Sequence, residues 1–184
     1  MEQSDYGFPN EQILLMFVHP TKPTRWHIDL CRVKQMGMVT NSSIDIGMIE
    51  FSRAATEEFK GIKPVEFQHT LSYEIPEPVA LCGYPYGHAM LQRDGKVYRW
   101  GPVLQQGFIS AISPFDNTGK PNELLLDIRI AGGMSGSPLI RSSDGKIIGI
   151  VHSAWESTTA LAMPLDQKIF DDLLRKHNEL RNEK

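Results

Sequence analysis

From Pro78 onward the chain is divided into short extended runs: Val79 to Cys82, Val97 to Trp100, Val103 to Ile112, Leu124 to Ile130, Ser137 to Ile140, Ile147 to His152 and Thr159 to Met163. Gly, Pro, Asn and Asp punctuate them, and many short strands joined by such turns predict an antiparallel barrel or sandwich. Asp144-Gly145, between Leu139-Ile140 and Ile147-Ile148, predicts a hairpin, because that pair readily takes the positive φ angles of a tight turn. After Pro164 the period changes to that of a helix. Ile169, Phe170, Leu173, Leu174, His177 and Leu180 share one face of a helix over 166–180, with Asp166 at its N-cap.

The first third of the chain carries the same signal more sparsely. Ile13 to Val18 and Arg25 to Val33 read as strands, the second with Trp26, Ile28 and Leu30 on one face and Arg25, His27 and Asp29 on the other. Asp45 opens a third apolar run, Ile46 to Phe51; Ser52 to Tyr73 is polar, with one short helix expected near Ala54 to Phe59. The expected organisation is therefore all-β in two parts of one unit, a partial barrel lobe over 1–60 and a complete barrel with its terminal helix over 75–184.

Composition excludes several function classes. The 184 residues carry 19 Lys and Arg, scattered, against 22 Asp and Glu, so no basic patch marks a nucleic-acid partner. The longest apolar run, Ile13 to Val18, is far too short to span a bilayer, and no basic segment precedes it as in a signal peptide, so no membrane partner is expected. Two cysteines, Cys31 and Cys82, lie in apolar surroundings without metal-ligand spacing, and a reducing, cytoplasmic setting is the expectation. His69 and His88 stand isolated in polar loops, and no metal or organic cofactor is expected.

The string that carries chemistry is Gly132-Gly133-Met134-Ser135-Gly136-Ser137-Pro138. Glycine at 133 can turn its N–H toward a ligand without a Cβ penalty, and glycine at 136 leaves space behind Ser135, so the N–H groups of Gly133 and Ser135 can converge on an oxyanion. The same heptad can equally be a Gly/Ser/Pro turn between strands.

This heptad resembles the nucleophile loop of trypsin-like (chymotrypsin-fold) serine proteases, in particular the HtrA/Deg-like branch. Leu126 to Ser135 is similar to the strand and loop leading into the nucleophile, Ile147 to Ala154 to the strand after it, and Leu161-Ala162-Met163-Pro164 to the strand before the terminal helix. Upstream, the segment from Val79 to Gly87 and Gly107-Phe108-Ile109-Ser110-Ala111 resemble the family's Gly-x-Pro-x-Gly and Gly-x-Ile-Ser-Ala segments. The resemblance implies a double β-barrel fold with its first barrel incomplete, and a serine endopeptidase acting on protein or peptide substrates through an acyl-enzyme. It implies that Ser135 is the nucleophile, that Gly133 and Ser135 form the oxyanion hole, and that Asp45, before its apolar strand, orients the catalytic histidine. It further places Arg129, His152, Ser153 and Ala154 along the substrate cleft. A cation at position 129 would favour acidic side chains, although the alternation Ile128, Arg129, Ile130 allows Arg129 to point outward instead. Met134 stands where many relatives have the aspartate that pairs with a freed N-terminus, which implies no such activation.

The histidine departs from the family pattern. In the family's order it precedes the aspartate, and only His19 and His27 precede Asp45, neither in the small-residue context that the family's histidine occupies. Two strands before Asp45, where the family has five, imply a chain truncated relative to the family and nearly inert as it stands. His152 is either a substitute base or a space-filling residue of the cleft. Two readings therefore compete: an endopeptidase, and an inactive or truncated relative that binds extended peptide by strand addition. An α/β-hydrolase is excluded, because its elbow needs glycine two residues after the serine, where this chain has Ser137, and a helix rather than a strand thereafter. Oligomeric state leaves no mark in the sequence.

Overall fold

A computed structural model describes residues 14–22, 25–41, 44–51, 65–85, 90–93, 96–100, 102–114, 120–156 and 159–182. The chain divides into two compact units, Met1–Lys63 and Pro64–Lys184. The first is a three-stranded antiparallel sheet in the order β1-β2-β3, from β1 (Leu14–Lys22), β2 (Arg25–Asn41) and β3 (Ile44–Phe51). β2 is twice as long as its hydrophobic alternation suggests. Its first half pairs with β1 and its second half, from Val33, with β3, so ladder hydrogen bonds hold the polar and glycine-containing stretch after Val33 extended. The helix expected near Ala54 to Phe59 lies outside the described residues.

The second unit is built on a closed six-stranded barrel. Its strands are β4 (Glu77–Gly83), β7 (Val103–Ser113), β8 (Glu123–Arg129), β9 (Pro138–Arg141), β10 (Ile147–Trp155) and β11 (Thr159–Pro164), in the cyclic order β10-β11-β8-β7-β4-β9, every pair antiparallel. Closure removes the unpaired edges that would otherwise offer themselves to other chains. A separate hairpin of β5 (Met90–Arg93) and β6 (Lys96–Trp100) completes the strands. β5 has no hydrophobic signature of its own, since Met90-Leu91-Gln92-Arg93 is too short and mixed to declare itself.

Alternation along the barrel strands delivers one apolar row inward. Val79, Leu81, Ile109, Leu124, Leu126, Ile128, Leu139, Ile148, Val151, Ala160 and Ala162 form a single buried cluster, joined by Met134 from a loop. Gly149 lets the walls close: a Cβ there would lie 2.7 Å from the carbonyl oxygen of Met163 on β11. The β9–β10 turn differs in detail from the expectation. Arg141 N–H donates to Lys146 O and Gly145 N–H to Arg141 O, making a four-residue connection in which Gly145 alone takes positive φ, at 74°, and Asp144 instead accepts from Lys146 N–H through its side chain.

Helix α1 (Gln167–Asn182) ends the chain, one residue later at its start than the expected span, because Asp166 is the cap itself: its Oδ1 accepts from Ile169 N–H at 2.8 Å. Leu165 and Leu173 are buried, and Phe170 stacks on Phe67 with ring centroids 4.6 Å apart. Phe67 belongs to a segment ahead of β4 that sequence marks only as polar. Gln68 there is almost fully buried, its Nε2 donating to Ile148 O, Leu165 O and Tyr73 Oη, while Tyr73 Oη donates to Ile148 O. Arg141 adds its Nε to Glu77 Oε1 at 2.6 Å and its Nη2 to Gln68 Oε1 and Ser72 O. Burial is the main reason the Tyr73 phenol is pushed well above its ordinary range, against an opposing hydrogen bond from Gln68.

Candidate active site

The loop from β8 to β9 is two tight turns sharing one residue. Met134 N–H donates to Ala131 O, and Ser137 N–H to Met134 O, so residues 131–134 and 134–137 are successive four-residue turns. Each has glycine at its third position, Gly133 with φ 88° and Gly136 with φ 87°, the positive angle that a type II turn requires there. This is why the sequence needs glycine at both places. Met134, the shared residue, is fully buried in the barrel core, and Ser137 is buried beneath β4. Gly83 at the end of β4 makes room for both: a Cβ there would collide with Ser137 Oγ and sit 3.0 Å from Met134 Cε.

Two bonds clamp the loop to β10, Gly136 N–H to Val151 O at 2.7 Å and Val151 N–H to Ser137 O at 2.9 Å. The donors between these points remain. Among the described residues, the N–H groups of Gly132, Gly133 and Ser135 have no hydrogen-bond partner, because in a four-residue turn the inner N–H groups are not used by the turn itself. Ser135 is exposed, and its Oγ donates to the carbonyl oxygen of His152 at 2.9 Å.

His152 is exposed on β10, and both of its ring nitrogens are engaged, Nε2 with Glu123 Oε1 at 3.2 Å and Nδ1 with Ser153 Oγ at 3.0 Å. The imidazole therefore meets Ser153, while Ser135 meets only the His152 main chain. Ala154 is exposed and Ser153 half-buried on the same strand. Arg129, at the end of β8, is exposed beside buried Ile128 and partly buried Ile130, so of the two orientations the alternation allows it takes the outward one. Asp45 is the second residue of β3, opposite Thr40 in register, in the first unit. His19 is an internal residue of β1, directly opposite His27 on β2. Sequence reasoning missed Glu123, which reads as an ordinary strand-initial carboxylate; no spacing along the chain connects it with His152.

The glycine-built loop around Ser135 thus sits on a closed antiparallel barrel. The family model of the trypsin-like peptidase domain matches residues 18–150. The chain belongs to that family. Among solved structures the fold is similar to a Glu endopeptidase, with a TM-score of 0.59 and 13% identity over 80% of this chain and 64% of the other. A mutant of human heparin binding protein matches with a TM-score of 0.52 and 15% identity, over 81% of this chain and 68% of the other. Human heparin binding protein itself gives 0.50 and 14%, over 81% and 66%. The chain thus spans less than two thirds of the length of that Glu endopeptidase. No curated protein matches it significantly in sequence.

Proposed function

We propose that the chain is a serine endopeptidase domain in which Ser135 attacks a peptide carbonyl and the N–H groups of Gly133 and Ser135 receive the developing oxyanion. The observation that carries the proposal is the pair of unpartnered donors, held in place by the burial of Met134 between them. Preorganised donors of this kind stabilise an acyl-transfer transition state by a few kcal/mol each, because nothing has to reorient as charge develops. Asp45 is the orienting carboxylate of the proposal, by its place in the family's order. Extended protein segments are the substrate class of the proposal, and Gly83-Tyr84-Pro85-Tyr86-Gly87 and Gly107 to Ala111 support a relation to the HtrA/Deg-like branch. Arg129 takes the outward orientation and so lends no support to a preference for acidic side chains.

One observation favours the second reading, a relative that binds extended peptide without cutting it. A carbonyl oxygen cannot take up the proton that Ser135 must lose, and the His152 carbonyl is the hydrogen-bond partner of Ser135 Oγ. Incubating the chain with a peptide library of mixed composition separates the two. Cleavage that disappears in Ser135→Ala establishes the endopeptidase; peptide binding, read by fluorescence anisotropy, without any Ser135-dependent cleavage establishes the binder.

A further inference from the structure

The imidazole of His152 contacts a carboxylate on one side and a serine hydroxyl on the other, and that hydroxyl is not Ser135. A carboxylate such as Glu123 can only accept hydrogen bonds, so the His152 nitrogen facing it, Nε2 at 3.2 Å, carries the proton. In the neutral ring Nδ1 is then the acceptor, and its partner at 3.0 Å is the Ser153 hydroxyl, which becomes the donor. Carboxylate, imidazole and hydroxyl stand in the order that makes a serine nucleophilic: a base in hydrogen-bond contact with the hydroxyl and a third group orienting the base.

Three elements cooperate in this. β10 and β11 pair with a register shift between Val151 and Ser153, where two steps along β10 match the single step from Ala162 to Leu161 on β11, so His152 is an inserted residue. A bulge of this kind disturbs strict alternation and re-aims side chains, here bringing the neighbours His152 and Ser153 into mutual contact. Glu123 opens β8, on the far side of β11 from β10, and its carboxylate reaches the ring from there. The His152 and Glu123 side chains are about one third exposed, at 34% and 35%, so a small reagent can approach.

We infer that Ser153, His152 and Glu123 form a second acyl-accepting centre, distinct from the Ser135 loop and matched to small activated esters such as aryl acetates. In the first half-reaction the Ser153 Oγ–C bond forms as the hydroxyl proton passes to His152 Nδ1; the bond from the acyl carbon to the aryl oxygen breaks, and Nδ1 returns the proton to that oxygen, releasing the phenol. In the second, water adds to the acyl carbon while giving a proton to Nδ1; the Oγ–C bond breaks, Oγ recovers the proton, and the carboxylic acid leaves. Glu123 accepts the Nε2–H hydrogen bond throughout and holds the ring in the tautomer that leaves Nδ1 free to act.

This centre goes beyond the Ser135 reading and stands or falls separately from it. The full chain is treated with an alkyl fluorophosphonate, the modified serine is located by peptide mapping, and aryl acetate hydrolysis is followed in parallel. Modification of Ser153 is expected, with both signals reduced at least about 100-fold in His152→Gln, as loss of a general base implies. Both should fall at least about tenfold in Glu123→Gln and remain unchanged in Ser143→Ala, a control in the exposed β9–β10 turn. Mapping in the unaltered chain does not depend on any variant folding. An unmodified Ser153, whether or not Ser135 is labelled, overturns the inference, as does Ser153 labelling that His152→Gln leaves intact.

Discussion

At Met134 side chain and main chain face opposite ways. The side chain is sealed in the barrel core, and the main chain on either side presents unpartnered N–H groups to solvent. Truncation by Met134→Ala removes the anchor and should cost about 2 to 5 kcal/mol in urea unfolding, as large-to-small core changes do. Gly83→Ala acts on the same anchor from behind, where the added methyl meets Ser137 and Met134. Its expected cost is about 1 to 3 kcal/mol, with reduced Ser135-dependent cleavage, measured on the same samples. Tyr73 makes a different prediction. Its folded phenol resists ionisation chiefly because it is buried, whereas an unfolded tyrosine ionises near pH 10. The folded value is the higher one, so the stabilisation is complete below about pH 10 and is lost above it, at up to about 1.4 kcal/mol per pH unit. Denaturation at pH 8 and pH 11 should show this alkaline loss in the native chain and a smaller one in Tyr73→Phe. The variant should also lose about 0.5 to 1.5 kcal/mol at neutral pH for the hydrogen bonds to Gln68 and Ile148 that it no longer makes, both partners keeping other bonds.

Among the elements, α1 and the β9–β10 turn show local chemistry acting on long-range structure. Asp166 caps the helix, and the residue before it, Leu165, is buried with its N–H bonded to Ile148 O of β10. Asp166→Ala should therefore cost about 0.5 to 2 kcal/mol, and Asp166→Asn much less, since asparagine supplies an equivalent acceptor. Thermal melts of the two variants check the difference. Both the cap and the helical face were legible in sequence because capping and 3.6-residue periodicity are local properties. The same is true of Gly133 and Gly136, whose turns demand positive φ regardless of their surroundings. β5 and the second half of β2 were not legible, since partner strands rather than their own side-chain patterns keep them extended.

For the molecule as a whole, the division at Lys63 and Pro64 separates an open three-stranded sheet from a barrel that closes on itself. All strands of the barrel, its helix and the buried Gln68 network come from one side of that division. Residues 64–184 expressed alone should consequently unfold in a single cooperative transition, measurable by circular dichroism; a broad, non-cooperative melt would show that the barrel needs the first unit. The expected all-β fold is the one found, because its evidence was repeated strand by strand along the chain.

Sequence by itself determined the strands of alternating hydrophobicity, the capped helix, the glycine-built loop around Ser135 and the family to which they belong. The strands, the helix and the loop each depend on residues within a few positions of one another. Tertiary structure decided which hydroxyl meets an imidazole. Ser135, His152, Ser153 and Glu123 come from a loop and two non-adjacent strands, and the contact between Nδ1 and Ser153 occurs where the β10 ladder is bulged against β11. A bulge is set by the pairing of two strands and leaves no period in either one, so the partners of His152 could be read only after the barrel had closed.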